Sequence, residues 1–319
     1  MTMVWLLAGL GLLLLLLAGD ALVRGAVNLA LRLGIPALIV SLTIVAFGTS
    51  APELLISVQA VLKGVPGIAI GNVVGSNTAN ILLVLGFPAI LSVLHTSGCN
   101  SRKSYRQMIA ASLVFIALAF RGKFDLLSGV VLLSMLAYFL LHAVQDARLH
   151  RRSCCNGDLL EDEPEGADPD MPWWKIMLYL VLGLIGLPLG ADLLIDSAET
   201  LARQFGVSES VIGLTLVALG TSLPELATTT MAALRRQADV AMGNVIGSNM
   251  FNLLAIIGIA SLVGPLPVDP EFLRFDLWVM LGASALLVPF VYFRRDINRI
   301  WGLSLTVLYV TYILCVLTF

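Results

Sequence analysis

Apolar runs, each close to the length that crosses a bilayer, follow one another along the chain with only short polar breaks between them. A helix needs about 20 predominantly apolar residues to traverse the hydrocarbon core, and windows of that kind predict about ten spans. They cover residues 3–23, 37–62, 68–94, 104–120, 125–146, 173–195, 208–234, 240–263, 273–293 and 299–318. The first is apolar from Val4 to Ala18 with no basic stretch ahead of it, so it reads as a transmembrane helix and not as a cleaved signal peptide. One long polar stretch, Asp146 to Pro172, interrupts the pattern. It begins basic (Arg148, Arg151, Arg152) and turns acidic (Asp158, Glu161, Asp162, Glu163, Glu165, Asp168, Asp170). It divides the chain into residues 1–146, a linker at 147–172 and residues 173–319, with five predicted spans in each flanking part.

Composition agrees with a lipid environment. Of the 319 residues 58% are hydrophobic and 13% charged, with a mean hydropathy of +0.94, whereas soluble domains carry about 25% charged residues. The net charge of −2 gives no basic surface for nucleic acid. The four cysteines (Cys99, Cys154, Cys155, Cys315) match no zinc or redox spacing. Lys and Arg set orientation. With the N-terminus outside, 14 fall on the inner side and 5 on the outer, which predicts both termini outside and a cytoplasmic linker.

Residues 20–86 align with 192–258 without a gap at an offset of 172, with 28 of 67 positions identical. The densest matches are GTSAPEL at 48–54 with GTSLPEL at 220–226, and GNVVGSNTAN at 71–80 with GNVIGSNMFN at 243–252. Five spans separate equivalent points, an odd number, so the copies are expected in opposite orientations. Secondary transporters are built from such inverted repeats, with their sites at mid-membrane where broken helices meet. The predicted fold class is therefore an all-α membrane protein, two inverted five-helix repeats with broken helices at the centre.

The matched residues are polar, and their chemistry suits a cation. Pro52 and Pro224 lack an N–H and clash with the carbonyl four residues back, so each span should break there and release carbonyls near Ala46 to Gly48 and around Gly220. Glu53 and Glu225 follow directly, and a carboxylate in hydrocarbon is costly without a partner. No Lys or Arg lies near either in sequence; two glutamates brought together would balance one Ca²⁺. Thr49, Ser50, Thr221 and Ser222 add hydroxyls. Ser76 and Asn80 share a helix face, as do Ser248 and Asn252, while Asn77 and Asn249 point about 100° away and could cap the broken segments. All are hard oxygen ligands of the kind Ca²⁺ and Na⁺ take. His95, His142 and His150 lie at span ends or in the linker, which disfavours zinc or copper. Simpler roles compete: tight packing for Gly71, Gly75, Gly243 and Gly247, back-bonding for Ser76 and Ser248, and interhelical bonding for Asn72 and Asn244. Asp20 and Asp192 also match; their place near span ends favours a solvated or packing role.

These motifs resemble the alpha repeats of the cation/calcium antiporter superfamily, here within 43–86 and 215–258, and the chain is most similar to short bacterial sodium/calcium exchanger-like proteins. The resemblance implies ten helices, alternating access and exchange of Ca²⁺ for Na⁺ across the inner membrane. It also implies a site lined by Thr49, Ser50, Glu53, Ser76, Asn80, Thr221, Ser222, Glu225, Ser248 and Asn252 with the carbonyls of Ala46 and Ala218. Relatives that depend on potassium carry an acid at the position of Asn252; the neutral amides Asn80 and Asn252 therefore argue against K⁺ transport. Proton/calcium exchange is the alternative coupling, and a cation channel or ion-regulated scaffold the alternative class. No enzymatic activity, cofactor, nucleic acid or obligatory protein partner is expected; Ca²⁺, Na⁺ and the bilayer are the partners.

Overall fold

A computed structural model describes residues 2–96, 99, 101–154, 168, 170–204 and 220–318. Its helices are α1 (Thr2–Leu33), α2 (Ala37–Thr49), α3 (Ala51–Leu62), α4 (Pro66–Leu91), α5 (Arg102–Ala119), α6 (Leu126–Cys154), α7 (Trp173–Gln204), α8 (Leu223–Leu234), α9 (Ala238–Val263), α10 (Phe272–Tyr292) and α11 (Arg299–Thr318). Two short strands, β1 (Lys123–Phe124) and β2 (Leu266–Pro267), pair antiparallel. Among the described residues seven helices are long and apolar enough to span a membrane, and α2 with α3 forms an eighth, bent by 43°. The predicted span at 104–120 is present as α5 but carries Arg102, Lys103 and Arg106 in its first turns, which makes it less apolar than the rest. The first and sixth predicted spans extend about ten residues further than hydropathy indicates. The predicted span 208–234 is described only from Gly220 onward, and most of the linker lies outside the described residues.

Burial is inverted relative to a water-soluble protein. Leu6, Leu13, Leu17 and Trp174 are exposed, while Glu53, Asn77, Asn80, Asn244, Asn249 and Asn252 are buried. The hydrophobic window of α9 is 89% buried and that of α11 17%, so α9 is central and α11 peripheral. Close backbone approach makes that centre possible. A Cβ on Gly243 would lie 2.7 Å from the Leu38 carbonyl oxygen, and one on Gly247 would lie 2.5 Å from that of Leu42. Only glycine at these positions lets α2 cross α9 at this distance.

α1 and α7, equivalent under the offset of 172, pack along each other antiparallel. Gly11 meets Leu194, Leu22 meets Gly183 and Gly25 meets Leu180. The two ends of the bundle carry matching closures. On one face Phe124 pairs with Leu266. On the other, Leu94 pairs with Ile297, backed by His95–Asp296 at 3.0 Å and by Thr96 donating to the Arg295 carbonyl at 2.7 Å. Leu94 and Leu266 are themselves one offset apart. They occupy opposite ends of α5, whose 18 residues make it about 27 Å long. Lys63 and the start of α4 belong to the first face, where Gly67 lies beside Asp269. Arg235 and the start of α9 belong to the second, where Asp239 lies beside Cys99.

Candidate cation site at the helix breaks

Two helices begin at the centre of the bundle. Ser50 (φ −85°, ψ 4°) precedes α3 and Ser222 (φ −90°, ψ 4°) precedes α8; each helix carries proline in its first turn and then Glu53 or Glu225. Proline is tolerated there because the N–H it lacks has no helical partner. The helix starts also place both carboxylates at the positive ends of their dipoles.

Both glutamates are almost fully buried, at 1% and 0% exposed, and Glu53 lies within reach of the charge on Glu225. Among the described residues no arginine or lysine pairs with either. Among the described residues, both oxygens of Glu53 and Oε2 of Glu225 are buried without a hydrogen-bond donor, and so are Ser76 Oγ, Ser222 Oγ, Asn80 Oδ1 and Asn252 Oδ1. Groups of this kind are almost always satisfied in folded proteins. Here the unsatisfied atoms are mainly oxygens, the electron-rich lining that a hard cation needs.

A scaffold of amides holds the helix breaks in place, and its bonds repeat under the offset of 172. Asn72 donates to the Glu53 carbonyl (3.3 Å) and to Ser57 Oγ (3.1 Å). Asn244 donates to the Glu225 carbonyl (3.5 Å) and to Thr229 Oγ1 (3.2 Å). These asparagines join α3 to α4 and α8 to α9. Contacts also run between the halves: Thr49 donates to Asn244 Oδ1 at 3.4 Å and lies 3.4 Å from Ser248 Oγ, Thr221 donates to Asn72 Oδ1 at 3.5 Å, and Ser50 donates to Glu225 Oε1 at 3.3 Å.

Three sequence expectations change. Asn77 and Asn249 do not cap broken segments: each donates to the other's backbone carbonyl at 3.3 Å, and each amide nitrogen also faces a methionine sulfur at 3.8 Å, Met280 for Asn77 and Met108 for Asn249. Their orientation is away from the helix's own face, as the 100° rule requires, but the groups they meet come from the other half. The Ala46 carbonyl is not released by Pro52; it accepts from the Ser50 N–H at 3.0 Å and from Thr49 Oγ1 at 3.3 Å. Proline clashes with the carbonyl four residues back, which is that of Gly48, so Ala46 keeps its helical partner. Asp20 is neither solvated nor merely packed: it pairs with Arg24 at 3.0 Å and with Arg235. Asp192 is exposed as expected. Ala218 lies outside the described residues.

Hydropathy missed one feature of the site. Asn80 and Asn252 each open a π-helical turn, Asn80–Val84 and Asn252–Ile256. Such turns widen the helix by one residue, frequently at functional sites. Ser50-x-x-Glu53 and Ser222-x-x-Glu225 have capping-box spacing, yet neither serine caps its own helix through its side chain.

Comparison with known proteins agrees with this architecture. The profile of the sodium/calcium exchanger protein family matches residues 3–145 and 175–318. The putative antiporter CaxA of Alkalimonas amylolytica is 36% identical over 95% of both chains. The inner membrane protein YrbG of Escherichia coli is 36% identical over 86% of this chain and 84% of its own. A solved structure of the sodium-calcium exchanger NCX_Mj, soaked with zero Na⁺ and Ca²⁺, superposes with a TM-score of 0.82 at 32% identity, covering 99% of this chain and 100% of that one. The chain therefore belongs to the sodium/calcium exchanger protein family, as an integral membrane cation exchanger.

Proposed function

We propose that this protein exchanges Ca²⁺ for Na⁺ across the cytoplasmic membrane by alternating access. It does so as two inverted five-helix repeats, with both termini outside and the linker cytoplasmic. The observation that carries the reading is the pair Glu53 and Glu225: two buried carboxylates at helix breaks, within reach of each other's charge and without a basic partner among the described residues. Ca²⁺ or several Na⁺ occupy overlapping oxygens of Glu53 and Glu225, joined by Thr49, Ser50, Ser76 and Asn80 and by their counterparts Thr221, Ser222, Ser248 and Asn252. A loaded site crosses the dry barrier between faces, whereas two bare carboxylates do not, and that makes exchange obligatory. The antiparallel α1–α7 pair and the matching closures at opposite ends of α5 support inverted repeats. A neutral amide at Asn252 supports a site without K⁺.

The test is Ca²⁺ flux into liposomes holding the purified protein, under imposed Na⁺, K⁺ or H⁺ gradients. A sodium gradient should drive uptake. Uptake driven by a pH gradient alone would assign protons as the counter-ion, and downhill flux without any counter-ion would reject exchange in favour of a channel.

A further inference from the structure

One acid–base couple recurs under the 172-residue offset without being used by the cation site. Asp20 on α1 aligns with Asp192 on α7, and Arg235, just past the end of α8, aligns with Lys63, just past the end of α3. The signs of charge are kept at all four positions, but the contacts are not. Asp20 is bonded to Arg235 and shares its other oxygen with Arg24 at 3.0 Å. Lys63 and Asp192 are both exposed, and among the described residues neither forms an ion pair. The helices around the two couples differ in the same sense. α1 lies directly on α8, where a Cβ on Gly19 would come 3.1 Å from the Ala227 carbonyl oxygen. Leu55 of α3, the counterpart of Ala227, is 63% exposed, not covered. Arg235 and Lys63 stand at opposite faces of the bundle, so one face is clasped by its couple and the other is not.

Building on the alternating-access reading above, we infer that Asp20–Arg235 and Asp192–Lys63 are paired latches at opposite faces, each closed when the other is open. The present structure has the Arg235 latch closed. In the opposite state α7 covers α3 as α1 covers α8 here, and Lys63 meets Asp192, with Asp196, the counterpart of Arg24, adding a second acid beside it. A partly exposed ion pair is a weak bond, and that suits the role: it biases two states by up to about fivefold without locking either. Because Asp20 retains Arg24 when Arg235 is lost, Arg235→Gln opens the latch while leaving the acid paired.

The latch is testable by cross-linking in vesicles, in a background where Cys99, Cys154, Cys155 and Cys315 are serine. With Lys63→Cys and Asp192→Cys present, a short flexible bis-maleimide should join the two positions poorly, and adding Arg235→Gln should raise the yield about two- to fivefold. Replacing Asp20 and Arg235 together (D20R with R235D) should return the yield to its starting value, which a merely misfolded variant would not do. A yield that ignores Arg235→Gln, or no cross-link under any Na⁺ or Ca²⁺ condition, overturns the latch. Ca²⁺ flux in the same vesicles separates the two levels: flux that persists while the cross-link fails to respond removes the latch alone, and absence of flux from the wild-type protein removes the exchange reading beneath it.

Discussion

Ser50 donates its hydroxyl to Oε1 of Glu225 at 3.3 Å, across 175 residues of sequence. The serine that opens one broken helix thus holds the carboxylate of the other, and leaves Oε2 without a donor among the described residues. Ser50→Ala removes a bond to a charged group without removing a helix cap, because Ser50 makes no side-chain capping bond. Loss of a cap costs about 1 kcal/mol of stability, and a hydrogen bond to a charged group is worth about 1.5–3 kcal/mol. The expected outcome is the KM for Ca²⁺ raised about tenfold alongside a modest fall in melting temperature, measured by thermal unfolding in detergent and by flux against Ca²⁺ concentration. A drop in melting temperature with unchanged KM would assign Ser50 to the fold instead.

The carboxylates should be indispensable to exchange and dispensable to folding. Glu53→Gln and Glu225→Gln keep shape but each removes one of the two charges at the site, and cation affinity falls by orders of magnitude with ligand charge. Flux in liposomes should fall at least about 100-fold in each variant, while elution as a single species on gel filtration is retained. Wild-type flux in either variant would move the cation site elsewhere.

Asn249 has one duty that its partner Asn77 does not share. Its Oδ1 accepts from Asn80 Nδ2 at 3.0 Å, which turns the Asn80 oxygen away from it, whereas Asn77 Oδ1 has no donor among the described residues. Asn249→Ala and Asn77→Ala should both destabilise by about 1–3 kcal/mol through the lost cross-repeat bond. Only Asn249→Ala should also weaken Ca²⁺ binding, and that loss should vanish in an Asn80→Ala background. Equal KM effects from both substitutions would show that the pair acts on the fold alone.

Glycine substitutions should separate crossing points from free surface. Gly243→Ala drives a methyl to within 2.7 Å of the Leu38 carbonyl and 2.9 Å of Ser41 Cβ, an overpacking worth about 1–3 kcal/mol. Gly282 lies inside α10 with nothing within 4 Å of a built Cβ, so Gly282→Ala should stabilise by up to about 1 kcal/mol through helix propensity. Opposite shifts in melting temperature are expected, and shifts of the same sign would show that the α2–α9 crossing can relax.

Much of this protein was legible in one dimension. Apolar runs announce transmembrane helices because the bilayer imposes a length on them, and a repeat at constant offset survives in sequence because equivalent residues face equivalent surroundings. Glu53, Glu225 and the serines and asparagines around them stood out for a local reason: a buried charge without a nearby base demands a partner from elsewhere. What remained hidden depends on distance through space. Whether Ser50 caps its own helix or reaches Glu225 is a competition between a local acceptor and one 175 residues away, and only the packed bundle decides it. The π turns at Asn80 and Asn252 have no hydropathy signature, since the widening arises from how the helices cross. The repeat also misleads in one respect: it assigns Asp20 and Asp192 the same environment, yet tertiary packing binds the first to Arg235 and leaves the second exposed. Two copies of one sequence pattern share their chemistry, but the contacts of each copy are set by the helices packed on it: α1 lies on α8, whereas Leu55 of α3 is left exposed.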